Sequence, residues 1–137
     1  MSMENNTAIV QKAYECFGRG DVPGILECCS DRISWVTPDV EGAPYYGAKT
    51  GKEGALEFFQ GLGSTETVES FEPRQFMADG DRVIVLGHYA ATVNATGGRW
   101  ESDWVHIFTI SDGKIAAFRE FFDNAVASRA FQQSAAA

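Results

Sequence analysis

The stretch Arg99–Asp123, RWESDWVHIFTISDGKIAAFREFFD, decides the fold. Two runs of alternating apolar and polar side chains, Arg99–Ile110 and Lys114–Asp123, flank Ser111-Asp112-Gly113, which reads as two long strands joined by a tight hairpin. A slip of one residue in such a pair exchanges every side chain between the two faces, so the loop length matters. A three-residue loop with Gly113 in the left-handed conformation pairs Ile110 with Lys114 and sets Trp104 opposite Glu120, His106 opposite Phe118 and Ser102 opposite Phe122. A two-residue loop on Asp112-Gly113 sets Glu120 opposite Val105 instead. The three-residue loop is preferred because it groups large aromatics around one carboxylate and one imidazole. Trp104, His106, Phe108, Phe118, Glu120 and Phe122 then share a face, while Asp103, Val105, Ile107, Ala117, Arg119 and Phe121 share the other.

Upstream, period-two patterning over Val68–Met77 and Arg82–Val93, with Asp79-Gly80-Asp81 and Ala95–Gly98 as turn chemistry, extends the hairpin into a four-strand antiparallel meander. Either His88 or Tyr89 points inward, since Gly97-Gly98 and longer loops are both allowed. Before Gly63 the period is helical. Ile9, Val10, Ala13, Tyr14 and Phe17 mark a first helix over Thr7–Phe17, capped by Asn5 or Asn6. A short second helix starts at Asp21, tolerates Pro23 in its first turn and turns Ile25, Leu26 and Cys29 inward. A third is opened by a Thr50/Glu53 capping box and runs to about Gly61, burying Ala55, Leu56, Phe58 and Phe59. Between them Ile33–Thr37 reads as a strand with Ile33, Trp35 and Thr37 on one face. Pro38–Gly47, with Tyr45-Tyr46, reads as an aromatic loop able to act as a flap. Residues 125–137 are expected to fray beyond one helical turn.

With 137 residues there is material for one core, so 1–137 is read as a single α+β domain: a helical layer over a curved antiparallel sheet, with a pocket between them. A hydrophobic fraction of 45%, with ten Phe and three Trp, supplies that core without metals or disulfides. The net charge of −8 and the lack of a Lys/Arg run exclude nucleic acid as a partner class. Cys16, Cys28 and Cys29 are odd in number and do not read as a disulfide framework. No export signal or apolar run near twenty residues is visible, so a cytoplasmic location away from membranes is expected. Two histidines without metal-ligand spacing give no reason to expect a metal.

The order of these elements, together with "YECFGRGD" (14–21), "ISWVTPD" (33–39) and "DWVHIFTISDGKIAAFREFFD" (103–123), resembles the nuclear transport factor 2-like superfamily. Its SnoaL-like and ketosteroid isomerase-like branches are the most similar. The resemblance spans about Asn5–Asp123 and implies a cone-shaped, cystatin-like fold, a homodimer and cofactor-independent chemistry. The superfamily also contains binding and assembly modules, so the fold leaves the reaction open. Ketosteroid isomerase places its base at or beside Thr37, its protonated acid at Trp104, and its first-helix tyrosine one residue out of step with Tyr14. The limonene epoxide hydrolase branch places its catalytic aspartate at Glu120, but the Arg and second Asp it also needs have no counterpart in Arg82–Val93.

Residue chemistry and resemblance together single out Glu120, since a carboxylate among aromatics is a candidate general base or acid. His106 is its candidate proton-relay partner. Tyr14, Trp35, Thr37, Phe59, His88, Trp104, Phe108, Phe118 and Phe122 are expected to line the pocket, suiting a small, flat hydrophobic molecule. The leading expectation is an isomerase, cyclase, hydratase or epoxide hydrolase. A ligand-binding protein without turnover and a dimeric assembly module are the alternatives. The apolar stripe Val105, Ile107 and Phe121 on the outer face is the expected dimer surface.

Overall fold

The computed structural model describes residues 3–132. Its elements are α1 (Met3–Gly18), α2 (Val22–Glu27), β1 (Cys29–Val36), β2 (Ala48–Thr50), α3 (Gly51–Thr65), β3 (Glu66–Asp79), β4 (Arg82–Val93), β5 (Arg99–Ser111), β6 (Lys114–Phe122) and α4 (Asn124–Gln132). None of these helices is long and apolar enough to cross a membrane.

Helix α1 buries Val10, Ala13 and Cys16, a three-residue spacing that makes one stripe toward the sheet. Asn6 is not its cap: it lies within the first turns, buried, and its Nδ2 donates to the Gly80 carbonyl at 3.4 Å. Asp21 does cap α2, accepting from the Gly24 N–H at 2.9 Å. Cys29 begins β1 rather than closing α2. Helix α3 starts after Thr50, but the Thr50 side chain makes no cap bond, so the expected capping box is not formed.

The sheet order is β2-β1-β6-β5-β4-β3. Strands β3 to β6 form the expected antiparallel meander, whereas β1 runs parallel to β6 with Trp35 beside Phe118. The sheet is therefore mixed, correcting the all-antiparallel expectation; period-two alternation reads the same in both kinds of ladder. Two irregularities in β3, at Val68/Ser70 and Pro73/Gln75, are bulges that bend this edge strand and curl the unclosed sheet around α1 and α3.

The last hairpin also departs from expectation. Asp112 and Gly113 both take positive φ, 51° and 76°, making a two-residue turn that pairs Ser111 with Lys114. Ile110 pairs with Ile115 but Thr109 pairs with Ala117, so Ala116 is an extra, bulged residue. Beyond it His106 faces Glu120, Phe108 faces Phe118 and Trp104 faces Phe122. The three-residue loop is thus wrong. The face it selected is nevertheless occupied, because turn and bulge together shift the pairing by two residues and preserve the alternation. Gly87 sits opposite Trp104, and a β-carbon there would overlap the indole ring and the Glu72 carbonyl; glycine lets the ring lie flat across β4.

Two peripheral segments are more ordered than expected. The 38–47 loop is no free flap, since Val40, Ala43, Tyr45 and Tyr46 are all buried. Residues 124–132 form a docked helix, with Thr96 Oγ1 donating to the Ala130 carbonyl at 2.7 Å and Phe131 against Tyr45. Of the tail expected to fray, residues 133–137 lie outside the described residues.

Candidate active site

Alternation along β4, β5 and β6 turns Val83, Val85, Tyr89, Trp104, His106, Phe108, Phe118 and Glu120 to the concave side. Helices α1 and α3 close over them, leaving a cavity of about 80 Å³ walled almost entirely by aromatic rings. That is room for a few water molecules or a compact ligand. A second hollow of about 230 Å³ shares Phe17, Ile25, Phe59 and Leu62 with it and is otherwise lined by Gly20, Val22, Gly63 and Val68.

Of the side chains expected at the pocket, Glu120, His106, Tyr14, Trp35, Phe59, Trp104, Phe108, Phe118 and Phe122 all line the cavity. Two do not. His88 lies on the convex face, its Nδ1 2.8 Å from Asp103 Oδ1 and its Nε2 3.3 Å from Glu101. Tyr89 takes the inward position, because the β4–β5 register pairs it with buried Ser102. Thr37 is buried as a loop clamp, its Oγ1 accepting from the Gly47 N–H at 2.8 Å.

Three polar side chains form a chain along one wall. Tyr14 Oη lies 2.8 Å from His106 Nδ1, and His106 Nε2 lies 2.7 Å from Glu120 Oε2. Burial, and then the negative charge of Glu120, push the Tyr14 hydroxyl well above the ordinary tyrosine range, so it keeps its proton. Facing a carboxylate, His106 Nε2 carries the hydrogen of that bond and donates to Glu120, while the protonated Tyr14 hydroxyl is able to donate to Nδ1 or to accept from it. Trp104 stacks on His106 with centroids 3.8 Å apart, and Phe118 meets its ring edge to face at 4.7 Å, fixing the imidazole plane. Among the described residues Glu120 Oε1 has no hydrogen-bond partner. The glutamate side chain is 13% exposed, against 5% for His106.

A second buried carboxylate was not legible in the sequence. Glu66, 4% exposed, accepts from Tyr45 Oη (2.5 Å) and Tyr46 Oη (2.8 Å) on Oε2, and from Tyr89 Oη (3.0 Å) and Trp100 Nε1 (3.1 Å) on Oε1. Burying a lone carboxylate costs several kcal/mol. Four bonds to a charged acceptor, about 1.5–3 kcal/mol each, are enough to offset it. Burial first, and then the Glu66 charge, raise all three of these hydroxyls far above the ordinary tyrosine range. Through this cluster the 38–47 loop is pinned to β3, β4 and β5. Tyr45-Tyr46 was the available signal, as two adjacent aromatics in a loop need somewhere to be buried.

The three thiols are buried and free, and burial pushes Cys29 up to about 11, which removes it as a nucleophile near neutrality. No group of three or more His, Cys, Asp or Glu among the described residues is placed to hold a metal ion.

The fold is of the cone type, and comparison with known proteins gives the family. Residues 10–118 match the SnoaL-like domain, and the chain belongs to that family, within the nuclear transport factor 2-like superfamily. A nuclear transport factor 2-like protein from Burkholderia xenovorans is 32% identical, with 96% of this chain and 99% of that one covered at a TM-score of 0.87. One from Burkholderia thailandensis is 26% identical over 96% of this chain and 99% of that one, at 0.85. TerC, crystallised with polyporic acid, is 26% identical over 94% of this chain and 99% of its own, at 0.80. No curated protein is matched.

Two outcomes follow from the buried polar groups. The chain has four tyrosines, Tyr14, Tyr45, Tyr46 and Tyr89, all raised. A phenol raised on folding stabilises the fold fully below its unfolded value, about 10, and that contribution is lost as pH climbs past it. Stability should therefore fall steeply above about pH 10. Ultraviolet phenolate absorbance should appear in one step with unfolding; a tyrosine ionising near 10 in the folded chain would contradict this. Glu66→Gln sets an amide N–H against two hydroxyl or indole donors and should lower stability in urea denaturation by about 2–3 kcal/mol. An unchanged midpoint would show that the cluster contributes nothing.

Proposed function

We propose that the cavity binds a small hydrophobic molecule and moves a proton on it without a cofactor, with Glu120 as the general base. The observation that carries this is the asymmetry of Glu120, a cavity-lining residue: Oε2 is held by His106 Nε2 at 2.7 Å while Oε1 has no hydrogen-bond partner among the described residues. A base needs a basic atom in a dry site and a fixed orientation, and the Tyr14–His106–Glu120 chain supplies both. Oε1 takes a proton from a carbon made acidic by an adjacent carbonyl, and the C–H electron pair moves onto the carbonyl oxygen. The same carboxyl then returns the proton to another atom of the substrate, so the enzyme is regenerated and nothing is oxidised. Isomerisation and ring closure both fit that sequence. His106 and Tyr14 are positioning residues: the imidazole bond orients the carboxylate, and the tyrosine holds the tautomer that makes the bond. Membership of the SnoaL-like family, and the binding of polyporic acid by TerC, support a pocket for small organic molecules.

The neutral probe 5-nitrobenzisoxazole tests the base directly, because removing its single C–H proton breaks the N–O bond and releases a yellow cyanophenolate. The protein should accelerate this over free acetate, and Glu120→Gln should reduce the rate about 100-fold or more. A variant as active as the parent eliminates Glu120 as base and leaves a binding protein without turnover.

We further propose that a second copy of the chain covers the convex face. Met77, Ile84 and Ile107 form one row across β3, β4 and β5. Leu86, Val105 and Phe121 form the next across β4, β5 and β6, with Phe121 44% exposed. Equilibrium sedimentation should report a dimer that Phe121→Lys converts to monomer, whereas a monomeric parent chain contradicts the assignment.

A further inference from the structure

Resting on the reading of the cavity as the ligand site, we infer that its preferred ligand carries a positive charge: a small aromatic or alicyclic ammonium compound rather than a neutral or acidic one. The charge balance of the interior is the first ground. Glu66 and Glu120 are both inside the fold, and among the described residues neither pairs with a lysine or an arginine. Every Lys or Arg ion pair, such as Arg99 with Glu69 and Glu101 or Lys49 with Glu57, has an exposed partner. The cavity wall contains neither lysine nor arginine. His106 can offset at most one of the two carboxylates, its bonded neighbour Glu120, while Glu66 is held by four uncharged donors.

The second ground is that both carboxylates act on the same space. Tyr46 and Tyr89 line the cavity and both donate to Glu66, which sets that carboxylate directly behind the wall that Glu120 shares. In a poorly hydrated cavity the field of such charges is weakly screened. The third ground is the supply of hydrogen bonds. The Tyr46 and Tyr89 hydroxyls have committed their protons to Glu66, and the Nε1 atoms of Trp35 and Trp104 are buried without a partner. Glu120 Oε1, an acceptor, is therefore the polar atom that the relay leaves open to a ligand.

The walls suit the same occupant. Aromatic rings make up most of the wall, among them Trp35 stacked on Phe118 at 4.0 Å and Trp100 against Phe122 at 5.3 Å. Cations are attracted to the faces of such rings, most strongly when desolvated. An anion would meet the Glu120 carboxylate on a wall without lysine or arginine.

Phenyltrimethylammonium, tert-butylbenzene and benzoate separate the possibilities, the first two having one shape and differing by N⁺ for carbon. Titrations followed by tryptophan fluorescence, with calorimetry as a check, should show the ammonium binding at least tenfold more tightly than the hydrocarbon, and benzoate not binding. In Glu120→Gln that preference should shrink at least tenfold while tert-butylbenzene affinity stays the same. Equal or weaker binding of the cation, no binding of it, measurable binding of benzoate, or a preference undiminished in Glu120→Gln overturns the inference. Because 5-nitrobenzisoxazole is uncharged, loss of the cation preference and loss of the base are separate results.

Discussion

The bond from His106 Nε2 to Glu120 Oε2, across the β5–β6 pair, is the contact on which the rest of the site depends. It exists only because two local distortions act together. Asp112 and Gly113 make a two-residue turn with left-handed backbone, which any side chain other than glycine adopts at a cost. Continued without interruption, that turn would set Glu120 opposite Val105 and turn the carboxylate away from the aromatic wall. The bulged Ala116 adds the one residue that restores it. Trp104 and Phe118 then hold the imidazole from its face and its edge, so a packing interaction fixes an electrostatic one.

The two interior glutamates show how environment separates roles for one side-chain type. Glu66 meets four donors, has no lone pair to spare and acts as an anchor joining the 38–47 loop to three strands. Glu120 meets one donor and keeps an oxygen open to the cavity. The same side chain is an anchor when saturated and, in the proposed function, a base when half-committed, a division set by neighbours rather than by residue identity. Tyr46 and Tyr89 belong to both regions: they hold Glu66 and they wall the cavity that Glu120 faces.

How much of this the sequence carried depends on the range of the interactions. The α1 stripe, the four-strand meander and the alternation within each strand follow from periodicity, whereas the placing of Phe118 and Glu120 on the face of Trp104 and His106 needs the turn and the Ala116 bulge together. The parallel entry of β1 beside β6 does not follow from periodicity either, because alternation carries no strand direction. Whether His88 or Tyr89 turns inward was set by the β4–β5 register, and Gly97-Gly98 left that turn ambiguous. Glu66 was out of reach for a different reason. In the local sequence it looks like its neighbour Glu69, which is on the surface with Arg99, and its four partners come from three separate segments. The Tyr14–His106 bond spans 92 residues and depends on how α1 docks, which no local pattern contains.

The central claim is that His106 holds Glu120 through an imidazole with its hydrogen on Nε2, leaving Oε1 free. Nitrogen-15 spectroscopy of the His106 ring in the folded protein near neutral pH reads this directly. The account predicts one protonated nitrogen, Nε2, and one unprotonated nitrogen, Nδ1, shifted by the bond from Tyr14. A ring protonated at both nitrogens, or carrying its hydrogen on Nδ1, would contradict it.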